Sequence, residues 1–193
     1  AIAGLLNERP GGPSFYPYLP DGLWSEIATT TQYQRSAGIE IFRRSLYGYW
    51  KRTVSNPTMS VFDAPSREVC SVRRGRTNTP LQALTLLNDV TYVEAARGLA
   101  ILISSAADDG PEERLRQMFR RVTGRFPSDA ELQILMKGLD WHIARFRKQP
   151  EAARELLAIG DSAIESPIDS AELAAYAAVA STILNLDECV TRE

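Results

Sequence analysis

The residues best placed to do chemistry lie in one short stretch, SREVCSVRRGRTNTPLQALTLLND, from Ser66 to Asp89. Arg67, Arg73, Arg74 and Arg76 crowd toward Asn78, Thr79 and Pro80, and Arg97 follows further along. Thr79-Pro80-Leu81-Gln82 reads as a helix start, with Thr at the N-cap, Pro at the first helical position and Gln completing a capping box. Unsatisfied backbone N–H groups and the positive dipole end of such a start favour an anion. Arg73, Arg74, Arg76, Asn78 and Thr79 are therefore a candidate anion site, suited to sulfate, phosphate or a sugar acid. The competing reading is internal. Arginine binds carboxylates in bidentate fashion, and Asp63, Glu68, Asp187 and Glu188 are the candidate partners that would tie RRGRTNTP to NLDE. Buried arginines are normally satisfied by carboxylates of their own chain, which favours scaffold over site.

Other chemistry is thinly supported. The single histidine, His142, falls mid-helix beside the Leu139 and Ile143 stripe. A nucleophilic dyad with Cys70 would need that base oriented on the thiol, and nothing local provides it, so His142 reads as structural. Cys70 and Cys189 match no zinc, haem or redox spacing. They read as two separate buried thiols, with a disulfide as the alternative. Gly11-Gly12 lacks the strand–loop–helix context of a phosphate cradle. No metal, no cofactor and no catalytic residue is expected, although carboxylate pairs of the glycosidase kind are spatial and stay open.

The elements that would position these residues have ample material. The chain has 193 residues, 44% hydrophobic and 24% charged, enough for one sizeable domain with a core. Its net charge of −2 is uneven, because Arg43 to Arg76 holds eight Lys/Arg against two Asp/Glu. Such a block suits a polyanion or the chain's own acidic helices. Ala171 to Leu186 is interrupted by Glu172 and too short to span a bilayer, so no membrane insertion is expected.

Ala1 to Asn7 is compatible with the end of a helix. Residues 1–38 read as an extended arm, because Pro10, Pro13, Pro17 and Pro20 with Gly11, Gly12 and Gly22 exclude helix and central strand. Residues 39–193 read as a helical domain. Ile39, Phe42, Leu46 and Tyr49 recur at helical spacing with Arg43, Arg44, Lys51 and Arg52 off the stripe, which favours core over a nucleic-acid groove. The helix from Pro80 carries Leu81, Leu84 and Leu87, with Leu86 beside them, and Asn88-Asp89 breaks it and caps a second helix from about Val90 to Ala106. Gly110-Pro111 opens a helix with Leu115, Met118, Phe119 and Val122 on one face, closed by Gly124. Ser128 to Glu131 is a capping box leading Leu132, Leu135, Met136, Leu139, Ile143 and Phe146. Asp169 caps an Ala-rich helix to about Leu184, apolar nearly all round and so expected at the centre. The fold class is all-α, a bundle of five to seven helices with an irregular N-terminal arm.

Four passages carry a resemblance: Arg43 to Asp89, VTGRFPSDAE (Val122 to Glu131), LLAIGDS (Leu156 to Ser162) and ELAAYAAVASTILNLDE (Glu172 to Glu188). Together with the GGPS arm at Gly11 to Ser14, they resemble the planctomycete-specific PSD domain, a family of unknown function. The resemblance implies the C-terminal domain of a larger exported protein, with a companion domain and often a c-type cytochrome domain upstream. The upstream domains of the same polypeptide are then the expected partners. The implied role is a non-catalytic helical accessory domain. Its alternative is a lobe of an enzyme or a binding module for sulfated polysaccharide, with an anionic saccharide as ligand and a Trp among Trp24, Trp50 and Trp141 in its pocket.

Overall fold

A computed structural model describes residues 1–20, 22–24, 33–51, 55–66, 68, 70–73, 75, 77–106 and 110–191. Among these the chain is all-α. The described residues include eight α-helices: α1 (Pro57–Val61), α2 (Pro80–Asn88), α3 (Val90–Ala106), α4 (Pro111–Thr123), α5 (Asp129–Lys148), α6 (Pro150–Leu157), α7 (Ser170–Leu184) and α8 (Asp187–Val190). Two 3-10 turns, Gly38–Phe42 and Ser45–Tyr47, precede them. The chain divides into two compact units, residues 6–85 and residues 1–5 with 86–193.

The larger unit is built on α7. Leu173, Ala174, Ala175, Tyr176, Ala177, Val179, Ala180 and Ile183 are all buried, so apolar side chains face neighbours around the whole circumference. Alanines let backbones approach closely, and α3, α5 and α6 all pack on this helix. Its start is fixed by Asp169, whose carboxylate accepts from the N–H groups of Ala171 and Glu172. Ser128 and Glu131 form the expected capping box at α5, and Gly124 ends α4 with φ of 85°, a left-handed geometry that glycine adopts without steric cost. Each fully buried leucine or isoleucine of this core contributes about 1.5–3 kcal/mol over its exposed state.

Three expectations from the sequence need correction here. Helix α6 was not foreseen, although Pro150 at its first position, Glu151 in its first turn and buried Ala153 and Leu157 one turn apart are helix signals. Ala1 to Asn7 is not the end of a helix. It forms a turn closed by the Gly4 N–H on the Ala1 carbonyl, and Ile2 and Ala3 pack on the core. Cys70 is not buried: both cysteines are free thiols, Cys70 exposed and Cys189 half-buried.

In the smaller unit, helical periodicity misleads. Ile39 to Tyr49 is no α-helix but the two 3-10 turns joined by extended backbone. The cause is the arm, which lies parallel to this segment in isolated bridges Asn7–Arg43 and Phe15–Gly48. Backbone groups that a helix would pair internally are used across the chain: the Asn7 N–H donates to Phe42, the Phe15 N–H to Tyr47 and the Tyr49 N–H to Phe15. Gly48 fits because a Cβ there would lie 3.0 Å from the Met59 side chain and 3.6 Å from the Phe15 ring. The consequence inverts the stripe, leaving Ile39 and Leu46 exposed and Arg43 buried.

Candidate functional site

The stretch around Thr79 closes as a cap. The Thr79 N–H donates to the Gln82 side-chain oxygen at 3.0 Å and the Gln82 N–H returns to the Thr79 hydroxyl at 3.3 Å, which completes the expected capping box. Gln82 is buried, and its amide donates to the Val61 carbonyl and the Thr77 hydroxyl, both at 2.9 Å. Asp63, in the left-handed region at φ 56°, accepts from the Thr77 N–H at 2.9 Å and the Thr77 hydroxyl at 2.8 Å. Asp63, Thr77 and Gln82 thus knot the approach of α2 to the end of α1. Thr77, Thr79 and Gln82 at the helix start are spent on each other and on Asp63.

Arg74 and Arg76 lie outside the described residues, as does Arg67. Arg73, Asn78 and Glu68 are exposed. Asp187 opens α8, where its carbonyl accepts from the Thr191 N–H and its carboxylate from the Thr191 hydroxyl at 3.2 Å. Glu188 is bound by an arginine the sequence reading did not single out. Arg125 donates to both Glu188 oxygens, at 3.0 and 2.7 Å, and to both Glu131 oxygens, at 3.0 and 2.6 Å. That guanidinium, with the Ser128 N–H and hydroxyl, holds the Glu131 carboxyl down at about 2.

The sign of the resulting pH dependence follows from the depression. A carboxylate that titrates lower in the folded chain stabilises it fully above its ordinary range near 4.5 and loses that contribution as pH falls toward about 2. The melting temperature of the native chain should exceed that of Arg125→Gln by a constant margin above pH 5, and the margin should vanish near pH 2. A margin independent of pH across that window would contradict the assignment.

The most deeply buried cluster joins Arg97, the last of the arginines singled out in the sequence, to Glu94, which the sequence reading missed. Glu94 and Arg97 sit one turn apart on α3 at 0% and 1% exposure. Arg97 donates to Glu94 at 3.3 Å, to the Ile159 carbonyl at 2.8 Å, to the Ser162 carbonyl at 2.9 Å, and also to the Leu157 carbonyl and the Ser162 hydroxyl. Glu94 in turn accepts the Ser162 N–H. Gly160 lies between them at φ 88°, and a Cβ there would fall within the van der Waals envelope of the Glu94 carboxylate. Two charges of opposite sign, three residues apart in an otherwise apolar helix, were the signal available. A rigid fork with several donors is what an irregular loop of carbonyls requires.

Two further groups complete the survey. Arg43, buried in the smaller unit, donates to the Pro13 carbonyl at 2.6 Å and to the Arg9 and Gly11 carbonyls, with its guanidinium 4.2 Å from the centre of the Tyr47 ring. It fastens the arm that the prolines make extended. In the same unit Tyr16 stacks on Tyr49 at 4.5 Å, Trp24 meets Tyr33 at 5.0 Å, and the Lys51 ammonium lies 4.5 Å over Trp24. His142 contacts rings: Trp141 edge-on at 4.8 Å and Phe146 at 6.1 Å. Burial, aided by the nearby Arg145 charge, lowers its pKa, so the imidazole is neutral at pH 7.

The arrangement can hold charge and fasten loops. Among the described residues no three of His, Cys, Asp and Glu converge as a metal would need, and no helix is long and apolar enough to cross a membrane. Fold and site define an all-α domain whose described buried arginines clamp backbone carbonyls. The chain belongs to the family described as PSD1, protein of unknown function (DUF1553), which matches residues 1–139. No curated protein and no solved structure matches it.

Proposed function

We propose that this chain is a non-catalytic helical accessory domain that docks on the upstream domains of a larger, exported, planctomycete-type polypeptide associated with c-type cytochrome. The observation that carries the reading is the outer side of α2. Leu81, Leu84 and Leu87 are 55%, 58% and 47% exposed, while Gln82 and Leu86 on the same helix are buried. A row of exposed leucines beside a buried amide inverts the usual economy of a helix, and exposed apolar rows mark protein contact surfaces. The Gln82 knot explains how the helix is held in this orientation, since rotating it inward would break the cap and the bonds to Val61 and Thr77.

The test is a calorimetric titration of the upstream region of the parent polypeptide, produced as a separate chain, into this domain. Leu81→Glu places an acid in the first turn of α2, where the dipole favours it, so the melting temperature should not fall. The variant should bind at least tenfold more weakly than the native chain. Absence of binding by the native chain, or equal binding by Leu81→Glu, would overturn the reading. Turnover of a sulfated polysaccharide by the native chain would overturn its non-catalytic part.

A further inference from the structure

We propose that the outer face of α5 is a self-association surface, pairing antiparallel with the same helix of a second copy of this chain. Glu131, Ile134, Gly138, Trp141, Arg145 and Lys148 recur at spacings of three and four along α5, the seam of a heptad pattern. Ile134 and Trp141 on this seam are 69% and 60% exposed, whereas Leu132, Leu139 and Phe146 on the other side of the helix are buried in the core. A helix with an inward apolar face and a second, outward heptad seam has one more partner than the monomer provides.

Gly138 points to what that partner is. It stands near the middle of a 20-residue helix, and a Cβ added to it would meet nothing within 4 Å. Glycine weakens a helix interior relative to alanine, and among the described residues nothing lies close enough to require it here. Its use is outward, as a notch beside the exposed Trp141.

An antiparallel pair centred between Gly138 and Trp141 brings three complementary contacts together on each side of the two-fold axis. Trp141 of one copy covers the Gly138 notch of the other. Ile134 packs on the aliphatic stem of Arg145, and Glu131 faces Lys148. The acidic first turn of α5, with Asp129 and Glu131, and its basic last turn, with Arg145, Arg147 and Lys148, make the antiparallel sense attractive. A parallel pair would set each charged end against its like and Trp141 against itself. The contact is isologous, so it closes at two copies. One helix pair covers less than a standard interface, so the dimer is weak and concentration-dependent.

Sedimentation equilibrium over a concentration series tests this with the native chain, Gly138→Leu and Lys148→Glu. Gly138→Leu fills the notch with a better helix former, so its folding is not at risk. The native chain should rise from the monomer mass toward twice that mass, with both variants dimerising at least tenfold more weakly. Gly138→Leu should do so at an unchanged or higher melting temperature and Lys148→Glu at a slightly lower one, since its acid faces the negative end of the helix dipole. A native chain that stays monomeric at millimolar concentration would overturn the proposal. So would a dimer indifferent to Gly138→Leu, or one abolished instead by Leu81→Glu, which would assign association to the leucine row of α2. Because that row is tested with a different partner, either inference can fail alone.

Discussion

Gly160→Ala is expected to destabilise the domain by about 3–5 kcal/mol, from two causes that act together. The first is the backbone. At φ 88° an alanine enters a conformation that L-residues avoid, at a cost of roughly 1–2 kcal/mol. The second is the collision of the new Cβ with the Glu94 carboxylate, which is fully buried and bonded to Arg97 and Ser162, so it cannot shift without breaking those bonds. Displacing it breaks a buried pair. Urea unfolding measures the loss directly, as a lower midpoint at unchanged slope. A loss below about 1 kcal/mol would mean that the loop rearranges freely and that Glu94 is not held where the geometry puts it.

Arg97→Met is expected to cost a similar amount, about 3–5 kcal/mol, because methionine fills much of the volume and supplies none of the donors. The buried Glu94 carboxylate loses its cation, and the carbonyls of Leu157, Ile159 and Ser162 lose their common donor. Set against a typical domain stability of roughly 5–15 kcal/mol, either substitution consumes a large share. The double variant Glu94→Gln with Arg97→Met should recover part of the loss, since it removes the stranded charge. Arg97→Lys should fall between native and Arg97→Met, because an ammonium keeps the charge but cannot present a fork to five acceptors. If the double variant were as unstable as the sum of its parts, the two side chains would not be coupled.

How much of this was legible in the sequence depends on the range of the interactions concerned. Helices α4, α5 and α7 were readable because Gly110-Pro111, the Ser128 box and Asp169 act within a turn of their own position. The centrality of α7 followed from its uninterrupted apolar circumference. The segment Ile39 to Tyr49 was misread because its backbone partners are Asn7 and Phe15, and no local spacing carries that information. The leucines of α2 share the defect. Their spacing is helical, yet the side that turns inward is chosen by Asp63 and Thr77 acting through Gln82. Among the site residues, the Thr79 cap was visible for the same local reason as the other caps. Arg97 was named only as one more arginine and Glu94 was passed over, because an apolar pattern search discards charges and their partners in the Ala158–Ser162 loop lie more than sixty positions away.

The most direct measurement of the claim that these buried charges serve the fold is hydrogen exchange at the Ser162 amide. Ser162 lies outside any helix, where an ordinary loop N–H would exchange at close to its intrinsic rate. Here that N–H is bonded to the buried Glu94 carboxylate, which is itself held by Arg97. The expected result is protection comparable to the slowest amides of α7, lost in Arg97→Met while the α7 amides of that variant remain the slowest it has. Rapid exchange of Ser162 in the native chain would contradict it.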